Sequence, residues 1–455
     1  MLTLNSDAKV WRHVRCMTRA DLRTVDVPRA AGVSDVSRVV SRARLDSVDL
    51  LRGLVMLLMA LDHTRDFFAA GGPNPRDIAD PALFLTRWVT HFCTPTFIFL
   101  AGVSAFLYGE RGRRVGEVSW FLLTRGLWLI LIEFTLMRLC WTFSIHADVF
   151  VIQVIWVTGA SMVALAGLVH LPRWAIATIG LAMIAGHNLL DGIDAEELGH
   201  AGWLWKLLHE PGLIEVGPHA RLFVLYVLVP WSGVMAAGYA LGPVFRLDPA
   251  RRRSFLLRTG AAITVGFIVL RASNLYGDPA AWSVQGSALA TVLSFIDCEK
   301  YPPSLLYLMM TLGPALILLA LFERVHGALA GLVTTFGRVP FFFYVVHVAF
   351  IHALAVAFAW ITVATSAGRL ARSYRKSPRA TGSASPASTS SGSACWPRFI
   401  RSAAPLRRSS AGGANGGGAT SEEISAARVV SGAQRRRGRS ISQLTPCRAP
   451  RERAE

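Results

Sequence analysis

Charge is scarce in this chain. Of its 455 residues only 17% are charged, while 53% are hydrophobic and the mean hydropathy is +0.42. A soluble globular protein is nearer about a quarter charged, so the composition excludes that class. Cysteine is scarce too. Cys16, Cys93, Cys140, Cys298, Cys395 and Cys447 form no CxxC pair and no zinc spacing, which argues for neither a disulfide framework nor a metal. Residues 1–46 are polar and basic and hold no short apolar core before a small-residue cleavage site, so no signal peptide is read there. P-loop, GxSxG, HExxH and dinucleotide fingerprints are absent. The segment His63–Asp66 lacks the His-x4-Asp spacing of soluble glycerolipid acyltransferases.

What the chain does have is a succession of apolar runs from Leu50 to Ala364, each about the 20 residues needed to cross a bilayer. The fold class expected is an all-α polytopic membrane protein. Nine transmembrane helices are read at roughly 48–68, 84–108, 117–139, 147–170, 173–191, 220–242, 255–272, 303–323 and 338–364. Arginines collect in alternate loops, at Arg111–Arg114, Arg173, Arg246, Arg251–Arg253 and Arg324. Cytoplasmic loops carry the Lys/Arg excess, which puts the N-terminus in the cytoplasm. Two long outer loops remain. Residues 192–219, with Trp203, Trp205 and His209, suit a short interfacial helix; the half-apolar piece 287–297 suits a re-entrant or surface-lying segment.

Three regions follow: a basic disordered segment 1–46, a transmembrane domain 47–365, and a low-complexity basic tail 366–455. The tail holds 17 Lys+Arg against 4 Asp+Glu and supplies most of the net charge of +18. A basic tail is ordinarily solvated or membrane-surface, and nucleic-acid binding is not expected. The tail reads either as disorder or as a shifted reading frame that has replaced a tenth helix.

The stretch Leu45–Gly109 concentrates the chemistry. Arg52, Asp62, His63, Arg65 and Asp66 interrupt its first apolar run, and Arg87 and His91 the second. A charge at membrane depth costs about 2.5 kcal/mol or more, so these residues point to a polar site inside a bundle. Asp62 and His63 would lie roughly 8 Å, and His91 roughly 10 Å, below the outer surface. His63 and Asp66 share a helix face, and a carboxylate beside a histidine suits a general base. The plainer readings are an outer helix cap for His63 and Asp66 and a packing role for His91. Arg52, beside Asp49, is either a snorkelling side chain or an anion site for a phosphate-bearing donor. Lys300 and Ser304 sit in the KYPPS segment, either as interface anchor and helix cap or as substrate-binding groups. His347 lies about 14 Å from the inner end of a neutral helix, where an ionisable group is functional by default. The segment HNLLD, His187–Asp191, ends the fifth helix on the outer side, and Arg271 and Asn274 end the seventh.

The segments RLDSVDLLRGLVMLLMALDH, CTPTFIFLAGVSAFL, KYPPSLLYLMMTLGPA and FGRVPFFFYVVHVAFIHAL resemble the bacterial membrane proteins grouped with the catalytic domain of heparan-α-glucosaminide N-acetyltransferase. The resemblance covers roughly 44–360, and SVDLLRG and KYPPSLL are its more specific parts. It implies ten or eleven helices and acyl transfer from a cytoplasmic acyl-CoA to an amine or hydroxyl across the membrane. It places Asp62 where the lysosomal enzyme has an Asn, and matches His347, Lys300 and Ser304 to a His, a Lys and a Ser. The loop histidine of that enzyme has no counterpart in 67–90, so His63 or His91 would take its part.

The function expected is an inner-membrane acyltransferase of the bacterial plasma membrane, acting on a periplasmic sugar or envelope acceptor. His63, Asp62, Asp66, His91 and His347 are the catalytic candidates, and Arg52, Lys300 and Ser304 the substrate-binding ones. No bound cofactor or metal is expected; acetyl-CoA is the donor substrate. Expected partners are membrane lipid, acyl-CoA and a glycan acceptor, with a homodimer allowed. The alternative is a proton-coupled transporter or flippase without covalent chemistry, since intramembrane His and Asp also suit proton relays.

Overall fold

The structure, a computed structural model, describes residues 46–68, 74–144, 149–217 and 220–376; in the last helix side chains are described through Val363 and at Thr365. The expected N-terminal segment, save Asp46, and the low-complexity tail from residue 377 lie outside the described residues, and so does the question of its reading frame.

The chain begins with α1 (Asp46–Phe68), the broken pair α2 (Pro81–Thr90) and α3 (Cys93–Gly109), and the long α4 (Val115–Thr142). Strand β1 (Val149–Ile152), α5 (Val154–Leu168), α6 (Arg173–Gly186) and α7 (Gly202–Leu208) follow. Then come β2 (Gly212–Gly217), β3 (Ala220–Val224), α8 (Leu228–Leu241), α9 (Pro249–Ser273), α10 (Ala288–Ile296), α11 (Leu305–Phe322), α12 (Ala328–Arg338) and α13 (Pro340–Lys376).

Among the described residues six helices are long and apolar enough to cross a membrane: Pro81–Gly109, Val115–Thr142, Leu228–Arg246, Pro249–Ser273, Leu305–Phe322 and Pro340–Val363. The difference from nine has physical causes. α1 is 23 residues long, about 34 Å, but it carries too many charges to qualify by composition. α5 and α6 have 15 and 14 residues, about 22 Å, short of a hydrocarbon core of about 30 Å. The apolar runs expected at 147–170 and 220–242 are partly strand. β1 pairs in parallel with β3 and β2 pairs antiparallel with it, in the order β1-β3-β2. Ile152, Val224 and Val227 form a small core there, covered by Phe134, Trp156, Leu207, Ile214 and Leu222. The last helix continues to Lys376, past the expected boundary at 365.

α13 runs alongside the second half of α1 in the same direction, with His63 facing His347. Phe67 stacks on His352 at 4.7 Å and Phe68 meets Phe358 at 6.0 Å, while at the start of α1 Asp46 accepts from Arg338, the last residue of α12, at 3.1 Å. α12 closes against the start of α1. A Cβ at Gly53 would run into the Val333 carbonyl and one at Gly337 into the Asp49 carbonyl, so glycine alone permits this crossing.

Two buried ionic groups hold the irregular parts. α4 is interrupted by a π-helical turn, Glu133–Met137. It places the Glu133 carboxylate at the start of α5, where it accepts from the Gln153 amide at 3.3 Å and the Trp156 amide at 2.9 Å, satisfying donors that a helix start leaves unpaired. At the end of α9, Arg271 is 1% exposed. It donates to the carbonyls of Ala280 (2.8 Å), Ser294 (3.2 Å), Phe295 (2.9 Å) and Asp297 (2.9 Å). The Asp278 carboxylate lies 3.6 Å away. Arg271 thus receives the C-terminal carbonyls of α10, the segment expected to re-enter or lie on the membrane.

Candidate active site

The site grows from α1. Its apolar residues Leu50, Leu51, Val55 and Met56 are buried in the bundle, which carries Asp62, His63 and Asp66 inward on the same helix; these three are 7%, 6% and 6% exposed. The pairing of His63 differs from the sequence expectation. Its partner is not Asp66 but His347 of α13: His63 Nδ1 and His347 Nε2 are 2.8 Å apart, and the two ring planes lie within 6° of parallel with centroids 4.9 Å apart. His347 Nδ1 faces the Phe343 carbonyl at 2.7 Å. A carbonyl only accepts, so His347 carries its hydrogen on Nδ1 and presents a lone pair at Nε2. In the neutral pair His63 therefore donates from Nδ1 and keeps its lone pair on Nε2. Trp141 and Tyr344 stand edge-on to the His63 ring at 4.9 and 5.6 Å, fixing its plane.

Asp66 pairs with Arg65, at 3.0 Å. Arg65 also donates to Asp62, so one guanidinium bridges both carboxylates. Asp62 accepts in addition from the Thr90 hydroxyl at 2.8 Å, tying α1 to the end of α2. Lys300 is 5% exposed and lies within electrostatic reach of Asp62, His63 and His91. Its ammonium sits 5.0 Å from the centre of the Tyr301 ring. Arg87, 7% exposed, acts on Asp62 and His91 as well.

His91 falls at the break between α2 and α3. It is 5% exposed, it packs edge-on to Tyr307 at 5.4 Å, and neither ring nitrogen has a hydrogen bond. Its backbone carbonyl accepts from the Tyr307 hydroxyl at 2.9 Å. Buried polar atoms without partners are rare in a folded protein, and here they sit among the other candidates. Asp62, His63, His91, Lys300 and His347 thus converge, whereas two other candidates stand apart. Ser304 is fully buried; its hydroxyl donates to Asp278 at 2.7 Å and accepts from the Tyr307 amide at 3.0 Å, capping α11. Arg52 lies toward the opposite end of α1, where it donates to Asp49 at 3.1 Å, Ser104 at 2.8 Å and the Gly337 carbonyl at 3.4 Å.

The loop that carries Lys300 is built from charge. Arg76 reaches across to Glu299 at 2.9 Å and to Asp297 at 3.3 Å. Burial works against the Arg76 charge, but Glu299 and Asp297 outweigh it and raise its pKa further. Burial pushes the Asp278 carboxyl upward, against the hydrogen bonds from Ser304 and the Glu299 and Ala280 amides.

Sequence reasoning gave no role to Arg65 or Thr90. Arg65 was open to the i,i+3 rule from Asp62; Thr90 had no local signal, because its partner lies 28 residues away.

The family described as "Heparan-alpha-glucosaminide N-acetyltransferase, catalytic" matches residues 44–273, just over half of the chain. No curated protein matches it. The matched segment contains α1, the α2–α3 break and Arg271, so it covers the first half of the site described above. The chain belongs to the heparan-alpha-glucosaminide N-acetyltransferase catalytic family.

Proposed function

We propose that this protein is a membrane acyltransferase that moves an acyl group, acetyl foremost, from acyl-CoA to a hydroxyl or amine of a sugar or envelope acceptor. The observation that carries the reading is the buried His63–His347 pair in a member of an acetyltransferase family. A general base needs a lone pair held in a fixed direction. His347, anchored on the Phe343 carbonyl, fixes the His63 tautomer so that Nε2 receives the proton.

In the proposed reaction the acceptor oxygen or nitrogen attacks the thioester carbonyl carbon and gives its proton to His63 Nε2. The carbon–sulfur bond then breaks, its electron pair leaves on sulfur, and the thiolate takes the proton from His63 Nε2, which restores the base. Lys300 and His91, buried beside the pair, steady the developing oxyanion. Asp62, held by Arg65 and Thr90, balances the imidazolium that forms. In this reading the arginine-bearing loops lie on the cytoplasmic side, with the N-terminus in the cytoplasm of a bacterial inner-membrane protein. Arg52 stands toward that side, where the donor phosphates would approach, and the acceptor would enter from the periplasmic end.

The test is transfer of label from radioactive acetyl-CoA in membranes that hold the full chain, beside membranes with His63→Ala and with His347→Ala. Label in a glycan or glycolipid, lost with His63→Ala, is expected. A folded chain that transfers no label from several acyl-CoA donors, yet supports proton-coupled uptake, would establish the transporter alternative instead.

A further inference from the structure

A second cluster of ionisable side chains lies apart from the His63–His347 pair. His187 opens the 3₁₀ turn that follows α6 and Asp191 caps its end. α7 folds back and delivers His209 to the same place. One ligand atom from each of the three lies within 4.8 Å of the others, and His209 Nε2 is 3.1 Å from Asp191 Oδ1.

We propose that His187, Asp191 and His209 form a zinc site. An ion pair between His209 and Asp191 would account for two of the three residues and leave the third unexplained. His187 is 1% exposed, and neither of its ring nitrogens makes a well-formed hydrogen bond. His209 is 3% exposed, and its Nδ1 lacks one too. Burying imidazole nitrogens without partners is costly, and a metal ion is the partner that would satisfy both rings at once.

The donor set is chemically suited to zinc. Two imidazoles and one carboxylate, with a fourth position open, are a recognised zinc complement. Ligand atoms about 2.1 Å from a tetrahedral zinc stand roughly 3.4 Å from one another, so ligand atoms within 4.8 Å of one another need at most about 1.4 Å of closure. The surroundings supply the outer contacts such a site requires. Asn188 Nδ2 donates to Asp191 Oδ2 at 2.9 Å and orients the carboxylate. The Pro303 carbonyl lies beside the His187 ring. Asn188 Oδ1 in turn accepts from the Leu305 amide at 2.9 Å.

These outer contacts also give the site its role. Pro303 and Leu305 flank Ser304 and follow Lys300, so the zinc would clamp the end of α6 and the 192–219 loop to the turn that positions Lys300. With water in the fourth position the ion would hold this contact together; the reaction proposed above does not use it.

The test uses the full chain purified in detergent, stripped with a chelator and dialysed against one equivalent of Zn²⁺. Metal content is read by mass spectrometry and thermal stability by unfolding. About one zinc per chain is expected, with a higher unfolding midpoint than the stripped protein. His187→Gln, Asp191→Asn and His209→Gln should each lose the zinc, while His200→Ala, at an exposed histidine of the same loop, should keep it. Asn188→Ala should weaken zinc binding by about tenfold. Gel filtration identifies variants that remain folded, and only those are scored. Should all three ligand variants misfold, cobalt is loaded into the wild type, where visible absorption of tetrahedral Co²⁺ supports the site and octahedral absorption rejects it. Wild-type protein that retains no zinc after dialysis overturns the proposal, as does retention that the folded ligand variants leave unchanged.

Discussion

His63 Nδ1 and His347 Nε2 lie 2.8 Å apart although 284 residues separate them in the chain. The parallel run of α1 and α13 brings them together, and the Phe343 carbonyl decides which ring donates. If this pair is the base and its orienting partner, the two substitutions differ in size. His63→Ala should lower transfer by about a hundredfold or more, the usual worth of a general base. His347→Gln, which removes the fixed acceptor and spares the base, should cost about tenfold and shift the pH profile of the reaction. The measurement is the initial rate of label transfer against pH. Equal losses with an unmoved profile would mean that His347 does not set the His63 proton.

Arg65 bridges Asp62 and Asp66 inside the bundle. Removing one partner of a buried pair leaves an uncompensated charge and costs about 3–5 kcal/mol. Arg65→Met should therefore lower the unfolding midpoint in detergent sharply. Adding Asp62→Asn and Asp66→Asn removes the stranded charges and should restore part of the loss. A triple variant as unstable as the single one would show that Arg65 acts through packing rather than through its carboxylate partners.

The sequence made the membrane class, the polar hairpin and the family legible, because charge within apolar runs and the SVDLLRG and KYPPSLL segments are local signals. Partners were less legible. His63 lies three residues from Asp66, and helical spacing suggested that pair; the tertiary partner, His347, won because α13 lies against the same face. The expected helices at 147–170 and 220–242 failed at their starts for a related reason. VFVI and ARLFV are short β-branched or apolar runs that periodicity does not assign to helix or strand, and only the long-range β1–β3 pairing decides. Arg271 was noted as a helix end, yet its partners at Ala280, Ser294, Phe295 and Asp297 depend on how the following loop folds back.

Arg271 offers a sharp test of that loop. Four carbonyls and one carboxylate surround a planar fork of five donors, whereas lysine brings three donors from a single point. Arg271→Lys should keep the charge but strand at least two of these five buried acceptors, at about 2–4 kcal/mol. Arg258→Lys, at an exposed position of the same helix, should change stability little. Thermal unfolding of the two variants side by side is the measurement. Equal midpoints would mean that the loop does not hang on the guanidinium.

Asp278 gives a pH dependence with a definite sign. Burial raises its carboxyl above the ordinary carboxylate range in the folded chain, while the unfolded chain titrates near the usual value of about 3.9. Between the two the unfolded state has lost a proton that the folded state still holds, so stability falls as pH rises. The contribution is complete below the unfolded value and is lost as pH climbs through the folded one. Asp278→Asn has no proton to lose. The stability advantage of the wild type over this variant should therefore be largest near about pH 4 and shrink toward about pH 7. Unfolding midpoints of both proteins across that range decide the matter. A gap that widens toward neutrality would mean that the Arg271 guanidinium, 3.6 Å away, outweighs burial and holds Asp278 ionised.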